Sequence, residues 1–377
     1  MVHLNNAGTA LSPDPVNSVV LDFLRLEQEI GGYEAEVLRS HELDQVYVSL
    51  ARLIGSKPKD IAICQNATRA WDMIFYGLEL TADDKILTCR AEYASNYIAF
   101  LQRQKSIGFE IVVLDNDSSG AVCPDSLRQN LDDRVKLVAI NHIPTNGGLV
   151  QPASELGSIL KEHPAFFLLD ACQSVGQLPL DVNAIGCDAL TATSRKYLRG
   201  PRGVGFLYLS QDKFPHFEPP FLDLHAATWT ESDEFTVRSD ARRFETYEIF
   251  LAGKLGLGAA ADYALSVGVE DSWQRLSSLA HKARSGLSEI PGVEVHDLGS
   301  VKGGIVTFTV KDSQPQSLRK QLSEMGTNIW TCTVRAARLD MQVRNLDEVA
   351  RASFHYYNTE DEVKIFLAQV AELSRKI

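Results

Sequence analysis

Two residues carry the first chemical signal. Asp170 closes the apolar run AFFLLD, residues 165–170, and Lys196 stands between the hydroxyl-rich TATS and the glycine-proline loop RGPRG. An apolar run ending in an acid reads as a buried parallel strand that delivers a carboxylate to the carboxyl edge of a sheet, where open α/β folds bind ligands. A buried carboxylate with no cationic partner shifts its pKa and neutralises. Asp170 therefore calls for a positive charge, and Lys196 offers an amine.

Pyridoxal 5'-phosphate has a use for both groups. Its ring nitrogen is the cation an acid would pair with, and its aldehyde needs a lysine for a Schiff base. Thr193, Ser194 and Arg195, just ahead of the lysine, supply hydroxyls and a guanidinium of the kind that hold a phosphate. A plainer reading stands beside this one. Acids end strands in many α/β proteins, nucleotide hydrolases included, and a lone lysine is usually a solvated surface group. No GxxxxGK[ST] occurs in the chain, which removes the nucleotide hydrolase. The small-residue run from Gly256 to Ala261 imitates part of a dinucleotide fingerprint, but it lies inside a helical pattern with no strand before it.

Other residues can complete a site. Asn66, Ala67 and Thr68 form a small-residue bend opening a helix, whose free N–H groups suit a phosphate; an ordinary N-cap threonine is the alternative. Tyr93 falls at a helix start near the sheet edge, to stack on a flat ring or to fill the core. The loop NHIPTNGG places Asn141, His142, Thr145 and Asn146 beyond a strand's carboxyl end, before Gly147 and Gly148. Arg351 sits in an apolar strand pattern, where its guanidinium wants a carboxylate, from a substrate or from a structural ion pair.

The elements that must position these residues follow from periodicity. Apolar residues at helical spacing run from Pro15 to Glu29 and from Glu34 to Ile54, broken at Gly31-Gly32. From Asp60 strands and helices alternate, with strands at DIAIC, KILTC, EIVVLD, KLVAIN, AFFLLD, CDALTA and GVGFLYL: a mostly parallel seven-stranded sheet wrapped by helices. PHFEPPFLD reads as a connection, RRFETYEIFLAGKLGLGAAADYAL as one long helix, and residues 271–289 as another. Beyond Pro291 strands and helices recur as a smaller α+β unit. The expected division is an arm at 1–14, the N-terminal helices and large domain at 15–255, and the small domain at 256–377.

Bulk properties narrow the partners. The chain has 377 residues, is 45% hydrophobic and carries a net charge of -12, with a pI near 5.3. That size allows a large core and more than one domain. The acidic balance argues against nucleic acid and against an anionic membrane, and favours a small-molecule substrate. The N-terminus lacks a basic segment followed by an apolar core, and no apolar run approaches the length of about 18 residues of a membrane span, so a cytoplasmic protein is expected. Six cysteines without a CxxC pair, and nine histidines without paired spacing, indicate no metal.

Taken together, LNNAGTALSP, NATRAWD, AEYASN, NHIPTNGGLVQP, LLDACQSVGQLPLDV, TSRKYLRGPRGVGFLY, RRFETYE and RASFHYYNTEDEV resemble the class V aminotransferase group of fold-type I pyridoxal phosphate enzymes, which contains cysteine desulfurases, epimerase-like proteins and carbon–sulfur lyases. The resemblance implies that Lys196 forms the Schiff base, Asp170 pairs with the ring nitrogen and Gln173 reaches the phenolic oxygen. It also implies that Ala67, Thr68, Thr193 and Arg195 hold the phosphate, Tyr93 stacks on the ring, Thr145 lies beside it and Arg351 clamps the substrate α-carboxylate. Homodimers with sites at the subunit interface are implied as well.

Three positions depart from the desulfurase pattern. Tyr93 stands where a histidine usually stacks. The nucleophilic cysteine expected roughly fifteen residues ahead of the arginine is missing from VRAARLDM, and Cys332 lies a few residues too early. Tyr247 and Glu248 replace a Gly-Thr. The RFETYE arrangement is similar to the branch containing hercynylcysteine sulfoxide lyases and lyases acting on sulfur-conjugated natural products. The expected activity is β-elimination from an S-substituted cysteine, with Lys196 moving the α-proton, Tyr93 guiding the leaving sulfur, and pyruvate and ammonia as by-products. Transamination, epimerisation and a non-catalytic scaffold remain the alternatives, and Arg335 and Arg338 are candidates for an acidic substrate tail.

Overall fold

The computed structural model describes residues 1–376. The chain opens with a two-residue strand, β1 (Val2–His3), and three helices, α1 (Asp14–Ile30), α2 (Gly32–Leu38) and α3 (Ser40–Ile54). Gly31 ends α1 in a positive-φ conformation (101°) that a residue with a Cβ resists. The break expected at Gly31-Gly32 is therefore present, and a second one separates α2 from α3.

Strands and helices then alternate: β2 (Ile61–Cys64), α4 (Ala67–Gly77), β3 (Lys85–Thr88), α5 (Ala94–Ile107), β4 (Glu110–Val113), α6 (Pro124–Asn130), β5 (Val135–Asn141), α7 (Ala153–Leu160), β6 (Phe166–Asp170), α8 (Val182–Ile185), β7 (Ala189–Thr193) and β8 (Gly205–Leu209). The strands form one seven-stranded sheet in the order β2-β8-β7-β6-β5-β3-β4. Only β8 runs against its neighbours, β2 and β7. Every residue of β2, β3, β6, β7 and β8 is buried, which is why these strands are predominantly apolar. Register brings Asn141 of β5 opposite Asp170 of β6, and Asp170 opposite Thr191 of β7. The polar strand ends thus collect at one edge.

An antiparallel hairpin follows, β9 (Ala227–Glu231) and β10 (Glu234–Val237), in the stretch between β8 and the next long helix. It is mostly exposed: Ala227, Trp229, Phe235 and Val237 alternate with polar residues, but the two strands are short and bury neither face. The long helix α9 (Leu251–Val267) starts later than the sequence pattern predicts. Residues 241–244 make a single tight turn, and Glu245 is then pulled into extended backbone. Its carboxylate accepts from the Ile63 N–H (2.7 Å) and the Tyr47 hydroxyl (2.9 Å), which pins the chain across β2. Within α9 the small residues do what close packing requires. A Cβ on Gly256 would stand 2.6 Å from Val20, and one on Gly258 2.9 Å from Val46, so α9 lies directly against α1 and α3.

After α10 (Val269–Ser288) come β11 (Val293–Val295), β12 (Ile305–Val310), α11 (Pro315–Glu324), β13 (Thr327–Asn328), β14 (Trp330–Thr333), α12 (Arg338–Val343), β15 (Glu348–Ser353) and α13 (Glu360–Arg375). Four of these strands form an antiparallel sheet, β11-β12-β15-β14. One apolar cluster, including Leu279, Leu287, Phe308 and Phe366, joins it to α10 and α13. β1 pairs in parallel with β13, tying the N-terminal arm to this unit. The division expected at residues 255/256 falls inside α9. Among the described residues, no helix is long and apolar enough to cross a membrane.

Two contacts fix the segment that bears Lys196. Gly176 has φ +80°, and a Cβ there would lie 2.6 Å from the Leu198 backbone and the Tyr197 carbonyl, so two backbones pass in direct contact. His355 donates from Nε2 to the Tyr197 carbonyl (2.9 Å) while its Nδ1 accepts the Tyr356 N–H (2.9 Å), which requires the neutral ring. Burial drives its pKa down to about 3.

Gly176→Ala is expected to cost about 2–4 kcal/mol, adding a left-handed backbone penalty to a clash that cannot be relieved by a rotamer; urea unfolding measures it. As pH falls below about 6.5 the unfolded chain binds a proton that folded His355 refuses, so stability declines toward pH 3. The wild-type urea midpoint should drop between pH 7 and 4, and His355→Gln should show a shallower drop.

Candidate active site

A cavity of about 490 Å³ opens at the carboxyl edge of the large sheet. Its walls contain all nine residues expected to bind the cofactor: Ala67, Thr68, Tyr93, Thr145, Asp170, Gln173, Thr193, Arg195 and Lys196. Arg351 lines a second hollow of about 560 Å³, which shares Tyr93, Thr145, Arg195, Lys196 and Arg202 with the first. Together they form one recess reaching from the sheet edge to the N-terminal arm and β14.

Asp170 is 6% exposed at the end of β6. Its Oδ1 accepts the Cys172 N–H (3.0 Å) and its Oδ2 accepts Asn96 Nδ2 (3.1 Å). The same Asn96 nitrogen donates to Glu92 Oε1 (2.9 Å). Glu92 also accepts from Thr88 Oγ1 (2.8 Å) and from the Tyr93 N–H (2.7 Å). Its pKa is raised to about 7, first by burial and then by the Asp170 charge. Glu92 and Asn96 belong to the site's support, and the motif AEYASN holds no signal that singles them out from a helix start with ordinary capping residues.

Lys196 faces the cavity from the loop after β7. Loss of hydration holds its amine below the ordinary lysine range, against the opposing pull of Cys172 and Asp170. Asp170 and Lys196 share the cavity without an ion pair between them. At the far wall Asn66 caps α4, its side chain accepting the Arg69 N–H (2.8 Å). Asn66 takes the capping role, so Thr68, which lines the cavity, is not the cap. A Cβ on Gly205 would come 3.1 Å from the Ala67 nitrogen, so glycine leaves that N–H approachable. Arg195 is turned toward the N-terminal arm, donating to the Gly8 carbonyl and to Thr9 Oγ1. Gln173 donates from Nε2 to the Ala7 carbonyl (3.2 Å) and leaves its buried Oε1 without a partner.

Arg351 is 5% exposed in β15. Its Nη1 donates to both the carbonyl (2.9 Å) and the hydroxyl (2.8 Å) of Thr145, while its Nε has no partner. A buried guanidinium held only by neutral oxygens is set to receive an anion. The hollow before it contains Arg195, Lys196, Arg202 and Arg351 and no carboxylate in its walls. Two thiols reach the recess. Cys172 and Cys332 are both driven above the ordinary thiol range, chiefly by burial. Arg335 and Arg338 are exposed and line neither hollow. Tyr247 and Glu248 border a different, smaller depression beside Tyr33 and Glu36.

These residues fit pyridoxal 5'-phosphate. The donor set offers an acid for a ring nitrogen, a dehydrated amine for an aldehyde and an uncapped hydroxyl beside a helix N-terminus for a phosphate. Gln173 and Arg351 add buried polar atoms that lack partners inside the protein.

Comparison with known proteins agrees with that geometry. The family model described as aminotransferase class-V matches residues 2–366. A probable cysteine desulfurase of Methanothermobacter thermautotrophicus is 27% identical over 380 residues, covering 99% of this chain and 94% of the relative. Probable cysteine desulfurase 2 of Mycobacterium leprae is 29% identical, covering 98% and 91%. Among solved structures, the apo cysteine desulfurase of Thermococcus onnurineus NA1 superposes with a TM-score of 0.93 at 24% identity, covering 100% of this chain and 95% of that one. The cystine C-S lyase C-DES, solved with cysteine persulfide, superposes with a TM-score of 0.86 at 24% identity, covering 98% and 97%. The mostly parallel sheet and smaller α+β unit are the fold-type I arrangement, and the chain belongs to the class-V aminotransferase family of pyridoxal phosphate-dependent enzymes.

Proposed function

We propose that this enzyme is a carbon–sulfur lyase that removes the sulfur substituent of an S-substituted cysteine by β-elimination. The observation that carries the reading is the state of the recess thiols. Passing sulfur to a protein cysteine needs a thiolate. Cys332 is buried on β14, paired with Val349, and burial keeps it protonated; Cys172 is likewise raised. Ala336, in the same recess, offers no sulfur at all. The sulfur is therefore released with its own substituent. The relatives named as desulfurases and the C-S lyase neighbour support carbon–sulfur chemistry as the broader class.

Bound pyridoxal phosphate supplies an aldehyde for the substrate amine and a ring that accepts electron density from the α-carbon. The protein residues do the rest. Arg351, steadied by Thr145, takes the substrate α-carboxylate. Lys196 Nζ, kept below the ordinary lysine range by desolvation, is available as the neutral base for the α-proton. Asp170 holds a proton at the ring nitrogen. Thr68, Thr193, the α4 N-terminus and Arg195 would hold the phosphate, and Gln173, in the wall of the same cavity, would reach the phenolic oxygen. Tyr93 covers the ring and guides the departing sulfur. The Cβ–S bond breaks with its electron pair on sulfur, which leaves as a thiolate or persulfide, and the unsaturated amine product hydrolyses to pyruvate and ammonia. A second copy of the chain completes this reading, with Trp229 and Phe235 of the hairpin and Phe221 and Leu224 beside it exposed for contact.

Incubation of purified holoenzyme with cystine or an S-alkylcysteine should release pyruvate and the sulfur fragment in equal amounts. Cys332→Ser and Cys172→Ser should each keep kcat within about threefold, since neither thiol is asked to attack. A loss of a hundredfold or more in either variant contradicts elimination without a protein thiol. A keto acid that retains the intact side chain contradicts the lyase and establishes transamination.

A further inference from the structure

The inference concerns Glu92, a carboxylate 2% exposed that does not line the recess yet sits close enough to Asp170 to feel its charge. Placing a second acid there is unfavourable on its own terms: burial and the neighbouring negative charge both oppose its ionisation. What offsets this is a full set of donors. Thr88 Oγ1 serves one oxygen; the Tyr93 N–H and Asn96 Nδ2 serve the other. Two of those donors lead directly to the cavity. Tyr93 is the first residue before α5 and faces both hollows. Asn96, one turn on, has two amide hydrogens, and its other contact is Asp170 Oδ2.

We infer that Glu92 and Asn96 are positioning residues: Glu92 fixes the Tyr93 backbone and orients the Asn96 amide, which in turn holds the Asp170 carboxylate at the angle that meets the cofactor ring. Asn96 is buried at 2% exposure, and its amide donates directly to Asp170 Oδ2. Without it, Oδ2 is free to swing toward the Lys196 amine, and the acid no longer meets the ring nitrogen. The inference rests on Asp170 being the ring's partner.

The test uses holoenzyme and four variants, Asn96→Ala, Glu92→Ala, Glu92→Gln and Asp170→Asn. Three quantities are read: the cofactor dissociation constant, the circular dichroism induced in the cofactor's visible band, and the melting temperature of the cofactor-free protein. Asn96→Ala and Glu92→Ala should weaken cofactor binding about tenfold, the scale of one buried acceptor left unpaired, and shrink the induced dichroism. Glu92→Gln keeps an acceptor oxygen for Asn96 and Tyr93 and should restore both signals to within about threefold of wild type. Wild-type affinity and dichroism in folded Asn96→Ala overturn the inference, as does Glu92→Gln failing as badly as Glu92→Ala. Should Glu92→Ala not fold, Asn96→Ala decides alone. Asp170→Asn separates the levels: if it leaves the cofactor signals intact, the pairing of Asp170 with the ring is wrong, whereas a change in Asp170→Asn with none in Asn96→Ala rejects only the relay.

Discussion

An acid and an amine occupy one buried recess and are kept from neutralising each other. An acid and a charged amine in a weakly polar setting attract strongly, and an unconstrained pair would close into a salt bridge. Here no ion pair joins Asp170 to Lys196, and each is tied elsewhere. Asp170 is held by the Cys172 N–H and by Asn96. The lysine's chain is clamped by the backbone contact at Gly176 and by His355 on the Tyr197 carbonyl. The separation leaves both groups available to a third body.

The recess is assembled from three parts of the chain. Gln173 and Arg195 reach to the carbonyls of Ala7 and Gly8 in the N-terminal arm. Arg351 of the smaller sheet reaches back to Thr145, and Asp340 of α12 accepts from Asn146 in the same loop (2.6 Å). The arm is itself paired with β13. Every junction is a polar contact at the mouth, with apolar clusters behind it. Geometry at the reacting centre is therefore coupled to how these parts meet, which is the usual condition for catalysis that depends on placement.

Much of this was legible in the sequence, for identifiable reasons. Asp170 stood out because a fully buried apolar strand leaves its one polar end conspicuous, and Thr193 because it lies among hydroxyls just ahead of Lys196. Arg351 stood out because a cation inside an apolar strand is anomalous. Glu92 and Asn96 escaped notice because a glutamate and an asparagine at a helix start match any capping pattern; only the fold reveals that one amide faces two acids. The start of α9 was misplaced because Glu245's pull on Ile63 and Tyr47 overrides a helical pattern that its own neighbours support. The β9–β10 hairpin, although its apolar residues alternate, has strands too short and too exposed to stand out from a connecting loop. The pairing of β1 with β13 joins residues more than 320 positions apart, as Val2 with Thr327, beyond the reach of any local pattern.

The central claim is that the Lys196 amine, and no other, holds the cofactor covalently opposite Asp170. Borohydride reduction of the holoenzyme followed by peptide mass spectrometry addresses it directly. A single pyridoxyl-phosphate adduct on Lys196 is the expected result. An adduct on a different lysine, or none in a preparation that contains the cofactor, would contradict it.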